Sequence, residues 1–194
     1  FVYLHGEWQK DGVLRLQGSE GKAFSVNFTC RVDRVDMLKD ASTFERMRII
    51  DYKTGSDEIH APGIDAMLHD YKCKAFAQVM LYSQAYAQFL PYSGPIQPMV
   101  YSMRKLMVQP VSPLTTGQQP TSEQIEHEEY KSPDKSSKRW KILDYRDYLT
   151  EFNDALIPYL EELFNPDVPF VCADDDAACT YCEFKEICQR HLKK

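Results

Sequence analysis

Phe28-Thr-Cys-Arg-Val-Asp33-Arg-Val-Asp36-Met37 and, after a short polar insert, Arg48-Ile-Ile-Asp51-Tyr-Lys53-Thr-Gly55 together decide the fold. They read as two neighbouring strands that carry one carboxylate, a second carboxylate and a lysine to one place. Side chains of a strand alternate between its faces, so Asp51 and Lys53 point the same way and Tyr52 points the other. Two carboxylates hold Mg²⁺ or Mn²⁺ through oxygen alone and leave coordination positions for water and a phosphate. A lysine beside them orients or deprotonates that water and offsets charge developing on phosphorus oxygens.

A charged pair at a strand end is ordinarily a solvated rim. Here Ile49 and Ile50 precede Asp51, and Val32 and Val35 bracket Asp33, so the charges stand against apolar strand interiors where a carboxylate needs compensation. A metal ion supplies it. Asp36, three residues after Asp33, is expected on the opposite face in a structural role, paired with Arg34. Gln78 and Tyr82 lie one helical turn apart and share a face, within reach of the lysine or a phosphate. Outside this context they would read as a buried amide and a core tyrosine.

Working outward, residues 1–8 and 13–17 alternate around Lys10-Asp11-Gly12, a turn signal, and read as a hairpin. Glu7 reads as an edge-strand residue facing solvent. Residues 18–22 form a second turn, and residues 23–38 a long strand whose apolar phase changes near Cys30, as at a bulge. Residues 39–45 are a polar loop and 55–63 an irregular connection. Helical spacing runs from about Ile64 to Leu90, with Ala75, Val79, Tyr82 and Tyr86 on one face and Pro91 and Gly94 as stops. Residues 96–107 alternate again and read as the last core strand, and residues 109–138 as a long loop. Residues 140–164 return to helical spacing, with Asp144 as a cap. This order predicts an α/β fold, a mixed β-sheet flanked by helices, with a core over residues 1–170 and a cysteine-rich segment over 171–194.

A chain of 194 residues with 43% hydrophobic content buries a good core and fits one domain better than two. A net charge of −6 weighs against an independent nucleic-acid-binding module, because phosphate contacts need Lys and Arg. No run of about 18 apolar residues appears, and the first ten residues lack a signal peptide's basic-then-apolar order. No membrane partner and a cytoplasmic location are therefore expected. Strand-like sequence from Phe1 onward suggests a piece of a longer polypeptide, which, or a partner, would supply a basic groove.

In such a chain six cysteines are ligands or small buried residues rather than disulfides. Cys179, Cys182 and Cys188 stand in a C-x2-C-x5-C pattern, followed by His191, and three thiolates so close together point to a metal site. His191 would complete a tetrahedral Cys3His Zn²⁺ site, or Cys172 would add a fourth thiolate. Cys30 and Cys73 read as core residues.

The sequence resembles the PD-(D/E)XK nuclease superfamily, and within it the RecB-like exonuclease family, in an AddB-type or RecB-type C-terminal nuclease domain. The resemblance rests on Arg31-Val-Asp33-Arg-Val-Asp36, Ile49-Ile-Asp51-Tyr-Lys53-Thr-Gly55 and Gln78-x-x-x-Tyr82, and it covers most of the chain. It implies a restriction-endonuclease-like core and a Mg²⁺- or Mn²⁺-dependent deoxyribonuclease. Asp33, Asp51 and the backbone carbonyl of Tyr52 would hold the metal, Lys53 would position the water, and Gln78 and Tyr82 would complete the catalytic set. Cys179, Cys182 and Cys188 would be three ligands of a [4Fe-4S] cluster, a staple whose fourth ligand lies upstream. The family's first helix, with its histidine ligand, would lie upstream of Phe1, and Cys30 stands where family members carry glycine.

The implied role is a nuclease acting on DNA with a helicase domain or AddA-like helicase subunit, in double-strand-break resection and recombinational repair. The alternative is a catalytically inactive DNA-binding or partner-binding scaffold of the same fold, which the acidic net charge suits. A redox module does not fit three closely spaced cysteines without a second cluster motif.

Overall fold

The computed structural model describes residues 2–17, 21, 23–39, 45–55, 59–105, 111–116, 129–130, 139–171, 179–180 and 182–189. Its strands are β1 (Val2–Gln17), β2 (Ala23–Lys39), β3 (Glu45–Lys53), β4 (His60–Ala61), β5 (Ile96–Ser102), β6 (Val111–Pro113), β7 (Thr115–Thr116), β8 (Glu129–Tyr130) and β9 (Arg139–Lys141). Two α-helices, α1 (Lys74–Phe89) and α2 (Leu149–Leu163), accompany them. The larger sheet has five strands in the order β1-β2-β3-β5-β6, and a second sheet of four short strands runs β4-β7-β9-β8. This is the mixed α/β architecture that the order of apolar patterns predicts.

β3 is the centre of the larger sheet. Met47, Ile49, Ile50 and Asp51 are all buried, so both of its faces are covered, as for a strand flanked on two sides. It pairs antiparallel with β2 and parallel with β5. Parallel neighbours need a crossover, and α1 is that crossover, with Phe76, Val79 and Met80 fully buried. Cys30 and Cys73 are buried too, as expected of core residues.

Several local expectations are corrected. Lys10-Asp11-Gly12 is not a turn: β1 is continuous, and these residues pair with Cys30, Thr29 and Phe28 of β2. The ladder overrides the turn propensity because the Asp11 carboxylate accepts the Thr29 hydroxyl at 2.7 Å. At Gly12 a Cβ would lie 2.8 Å from Phe28 Cζ, so its bare backbone admits that ring. No bulge occurs at Cys30 either, since the β1–β2 register shifts only between Tyr3 and His5.

The helix begins at Lys74 rather than near Ile64. Asp70 accepts the Lys72 N–H through its side chain and the Cys73 N–H through its carbonyl, a turn that resets the chain before α1. Ile96–Ser102 is not the last strand, because β6 pairs along its outer side. Parts of residues 109–138 and the stretch around Trp140 supply strands of the second sheet instead of loop and helix. Asp144 does cap, but it caps the short 3-10 turn at Tyr145–Tyr148 that leads into α2, accepting from the Arg146 N–H. The expected loops at residues 18–22 and 39–45 lie largely outside the described residues.

The chain divides into two compact units, Phe1–Pro158 and Tyr159–Lys194. In the second, the end of α2 leads into an Asn165 turn, in which the Asn165 side chain accepts from the Asp167 N–H, and the cysteine segment is a run of turns. Among the described residues no helix is long and apolar enough to cross a membrane.

One ionic cluster fixes β2 against β3. Asp36 is fully buried and takes Arg34 Nε at 2.8 Å on Oδ1 and Arg48 at 3.0 Å on Oδ2. Arg48 is its cross-strand partner, so the clamp locks the register three residues from Asp33. Removing the carboxylate takes the shared acceptor from two partly buried guanidiniums, the costly way to break a buried pair. Asp36→Ala is expected to lose about 3 kcal/mol of unfolding free energy in urea titration; an unchanged midpoint would show that the clamp contributes nothing.

Candidate active site

The β2–β3 ladder runs from Lys39↔Glu45 to Arg34↔Ile50 and stops there. One further step would set Asp33 opposite Asp51. In place of that pair, the Asp33 carboxylate reaches across, and its Oδ2 accepts the Tyr52 N–H at 2.7 Å. A side chain thus replaces a backbone acceptor at the point where the strands part. Asp51 is 4% exposed and sits between this opening and Val100 of β5.

The change of apolar phase sought at Cys30 occurs here. Val32 and Val35 are both fully buried, although three residues apart on one strand they should face opposite ways. β1 inverts at the same level: His5 and Trp8 both stand against the Tyr86 ring, at 6.4 and 4.7 Å. Between them Glu7, which the register sets opposite Asp33, has φ of 49°, in the left-handed region that non-glycine residues seldom adopt. The Glu7 side chain faces solvent as expected, 77% exposed beside Arg31, while its backbone marks where the two strands invert together at the level of the first carboxylate. The signal in the sequence was the pair of apolar residues Val32 and Val35 at a spacing of three on β2.

Lys53 is gathered as expected. Its Nζ donates to Gln78 Oε1 at 2.7 Å and lies 2.9 Å from Asp51 Oδ2 as an ion pair. Gln78 Nε2 in turn donates to the Tyr82 hydroxyl at 2.6 Å. Asp51, Lys53, Gln78 and Tyr82 therefore form one connected line from β3 to α1. Burial raises the Tyr82 pKa above its ordinary value, with a further push from Asp51, so the phenol keeps its proton. Because its oxygen already accepts from Gln78, that proton is directed elsewhere.

The oxygen donors suit a divalent cation. Asp33 and Asp51 are hard ligands on adjacent strands with the Tyr52 carbonyl between Asp51 and Lys53, and Mg²⁺ commonly takes one or two carboxylates and keeps several waters. Among the described residues no group of three or more His, Cys, Asp or Glu side chains is assembled for a metal. A two-carboxylate site is what this end of the sheet offers.

The same observation bears on the thiols. Cys179, Cys182 and Cys188 are partly exposed and not in disulfides, yet they are not drawn together around one point in this structure. Cys172 and His191 lie outside the described residues. What the sequence reading missed is Arg48, whose cross-strand place opposite Asp36 was legible from strand alternation.

Comparison with curated proteins finds no match for the chain. The family model of the PD-(D/E)XK nuclease superfamily matches residues 2–189. Nucleases of this superfamily typically use divalent metal ions, and the two-sheet α/β architecture agrees with their restriction-endonuclease-like fold. With nearly its whole length matched, and with Asp33, Asp51 and Lys53 brought to one end of the central sheet, the chain belongs to the PD-(D/E)XK nuclease superfamily.

Proposed function

We propose that this chain is a RecB-like, Mg²⁺- or Mn²⁺-dependent DNA exonuclease domain that works with a helicase domain or AddA-like helicase subunit in double-strand-break resection. The observation that carries the proposal is the connected line Asp51–Lys53–Gln78–Tyr82 beside Asp33. Residues separated by up to 49 positions in the chain, from Asp33 to Tyr82, converge there. The narrower RecB-like assignment rests on Asp51-Tyr-Lys53-Thr-Gly55 together with Gln78-x-x-x-Tyr82.

When bound, the divalent ion neutralises phosphoryl oxygens and acidifies the attacking water. Asp33 and Asp51 would hold it. The chain's own contribution is orientation. Lys53, fixed between Asp51 and Gln78, presents its remaining N–H donor to the water or to a non-bridging phosphoryl oxygen as charge develops during in-line attack. Gln78 fixes the lysine by a charge-assisted bond, the strong kind. Tyr82, protonated, offers its hydroxyl to a neighbouring phosphate.

Lys53→Ala is expected to lower cleavage of single-stranded DNA by at least about a hundredfold, the ordinary range for a positioned proton donor, in protein that circular dichroism shows to be folded. Full activity in the purified variant would remove the assignment. In the same reading, Cys179, Cys182 and Cys188 hold a [4Fe-4S] staple, supported by their C-x2-C-x5-C spacing. Protein purified without air should then carry iron and acid-labile sulfide that Cys182→Ser loses. Zinc alone would replace the cluster with the Cys3His site, and neither metal would contradict both.

A further inference from the structure

β1 forms one margin of the larger sheet, and among the described residues no strand pairs along its outer side. The outward N–H and C=O groups of such an edge are a template for a further strand, and folds commonly blunt it with a bulge, a proline or a short length. The first part of β1 is blunted in this way. Its register shifts between Tyr3 and His5, and Glu7 takes the left-handed φ of 49°. Over residues 8–17 none of these devices is present: every residue pairs in regular order with β2, and the segment contains no proline.

Two large apolar side chains emerge at the middle of this regular segment. Val13, on the face away from α1, is 39% exposed, and Phe89 at the end of α1 is 40% exposed. Phe89 packs on Trp8 at 5.5 Å and stands beside Gly12, where a Cβ would lie 3.2 Å from its ring. Gly12 and Val13 are neighbours on opposite faces, so the two apolar groups lie at the same level of the edge, one on each side of the sheet. On the Val13 face Asp11 and Arg15, both exposed, flank the valine at equal distance in the strand. The acid precedes it and the base follows.

That order fits a second copy of the same edge. A two-fold axis perpendicular to the sheet through Val13 makes the pairing antiparallel and keeps corresponding faces together. It sets Val13 against the partner's Val13, and Asp11 and Arg15 against the partner's Arg15 and the partner's Asp11, as directly opposed pairs. The Asp11 carboxylate, already steadied by the Thr29 hydroxyl at 2.7 Å, has lone pairs left for a guanidinium. Other registers are poorer. An axis at Gly12 or Leu14 opposes a charge to Val13, and one at Asp11 opposes two carboxylates.

We propose that the 8–17 half of β1 is a homodimer interface, in which two copies join edge to edge about a two-fold axis at Val13 into one continuous sheet. The Val13 side chains meet on one face, the Phe89 rings are covered on the other, and two Asp11–Arg15 pairs set the register. Asp51, Lys53, Gln78 and Tyr82 take no part in the pairing, and both copies carry them on the same side.

Sedimentation velocity across a dilution series tests this, with circular dichroism confirming that each protein is folded. The parent chain should pass from monomer to dimer as concentration rises. Asp11→Arg and Arg15→Asp should each weaken dimerisation by about tenfold or more, because two cross-strand pairs turn from attractive to repulsive. An equimolar mixture of the two variants should dimerise like the parent, since each copy then meets the opposite charge at both positions. Val13→Lys, at an exposed site, should leave the monomer. A parent chain that stays monomeric throughout would overturn the proposal and leave the edge to a segment of different sequence. So would a dimer that survives Val13→Lys, or a mixture no heavier than its separate variants. Should Asp11→Arg fail to fold, Arg15→Asp and Val13→Lys decide. Association needs neither metal nor cleavage, so the dimer and the nuclease reading fail separately.

Discussion

Asp33 replaces a backbone acceptor at the point where β2 leaves β3, and the rest of the site depends on that substitution. An antiparallel ladder continued by one pair would bring backbone against backbone at residues 33 and 51. Because the Asp33 carboxylate takes the Tyr52 N–H instead, the strands separate while the amide stays satisfied. The opening is where Asp51 and Lys53 reach the surface of the sheet.

Two devices hold the opening in place. On one face the Asp36 clamp fixes the register of the last paired residues, and on the other α1 delivers Gln78 to Lys53. The faces are chemically different for a reason of alternation: Asp51 and Lys53 share the α1 side, while Arg34, Asp36, Arg48 and Tyr52 share the other. The Lys53–Gln78 contact and the Asp36 clamp therefore lie on opposite sides of the same sheet. The left-handed backbone at Glu7 belongs to this arrangement, since it lets β1 follow the inversion of β2 and keep Trp8 on the helix side.

What was legible in the sequence was what local periodicity controls. The alternation around Asp51 and Lys53, the one-turn spacing of Gln78 and Tyr82, and the mixed sheet flanked by helices all follow from short-range patterns. The second sheet was not legible, because it is assembled from strands of two or three residues such as His60–Ala61 and Thr115–Thr116, whose partners lie 55 positions apart. Such strands are too short to show a period. Lys10-Asp11-Gly12 misled for the opposite reason: its turn propensity is real, but fourteen paired positions of the β1–β2 ladder outweigh it. The inversion at Glu7 and Asp33 was visible only as a spacing of three between apolar residues, which single-strand reading assigns to the nearest plausible bulge.

The central claim is that Asp33 and Asp51 form a working metal centre with Lys53. Calorimetric titration of Mn²⁺ into the protein and into Asp51→Ala, with nicking of single-stranded DNA followed in the same buffer, tests it most directly. The account expects binding and cutting in the parent protein and the loss of both in the variant. Mn²⁺ binding of equal affinity in the two proteins would contradict it, as would cutting that survives the substitution.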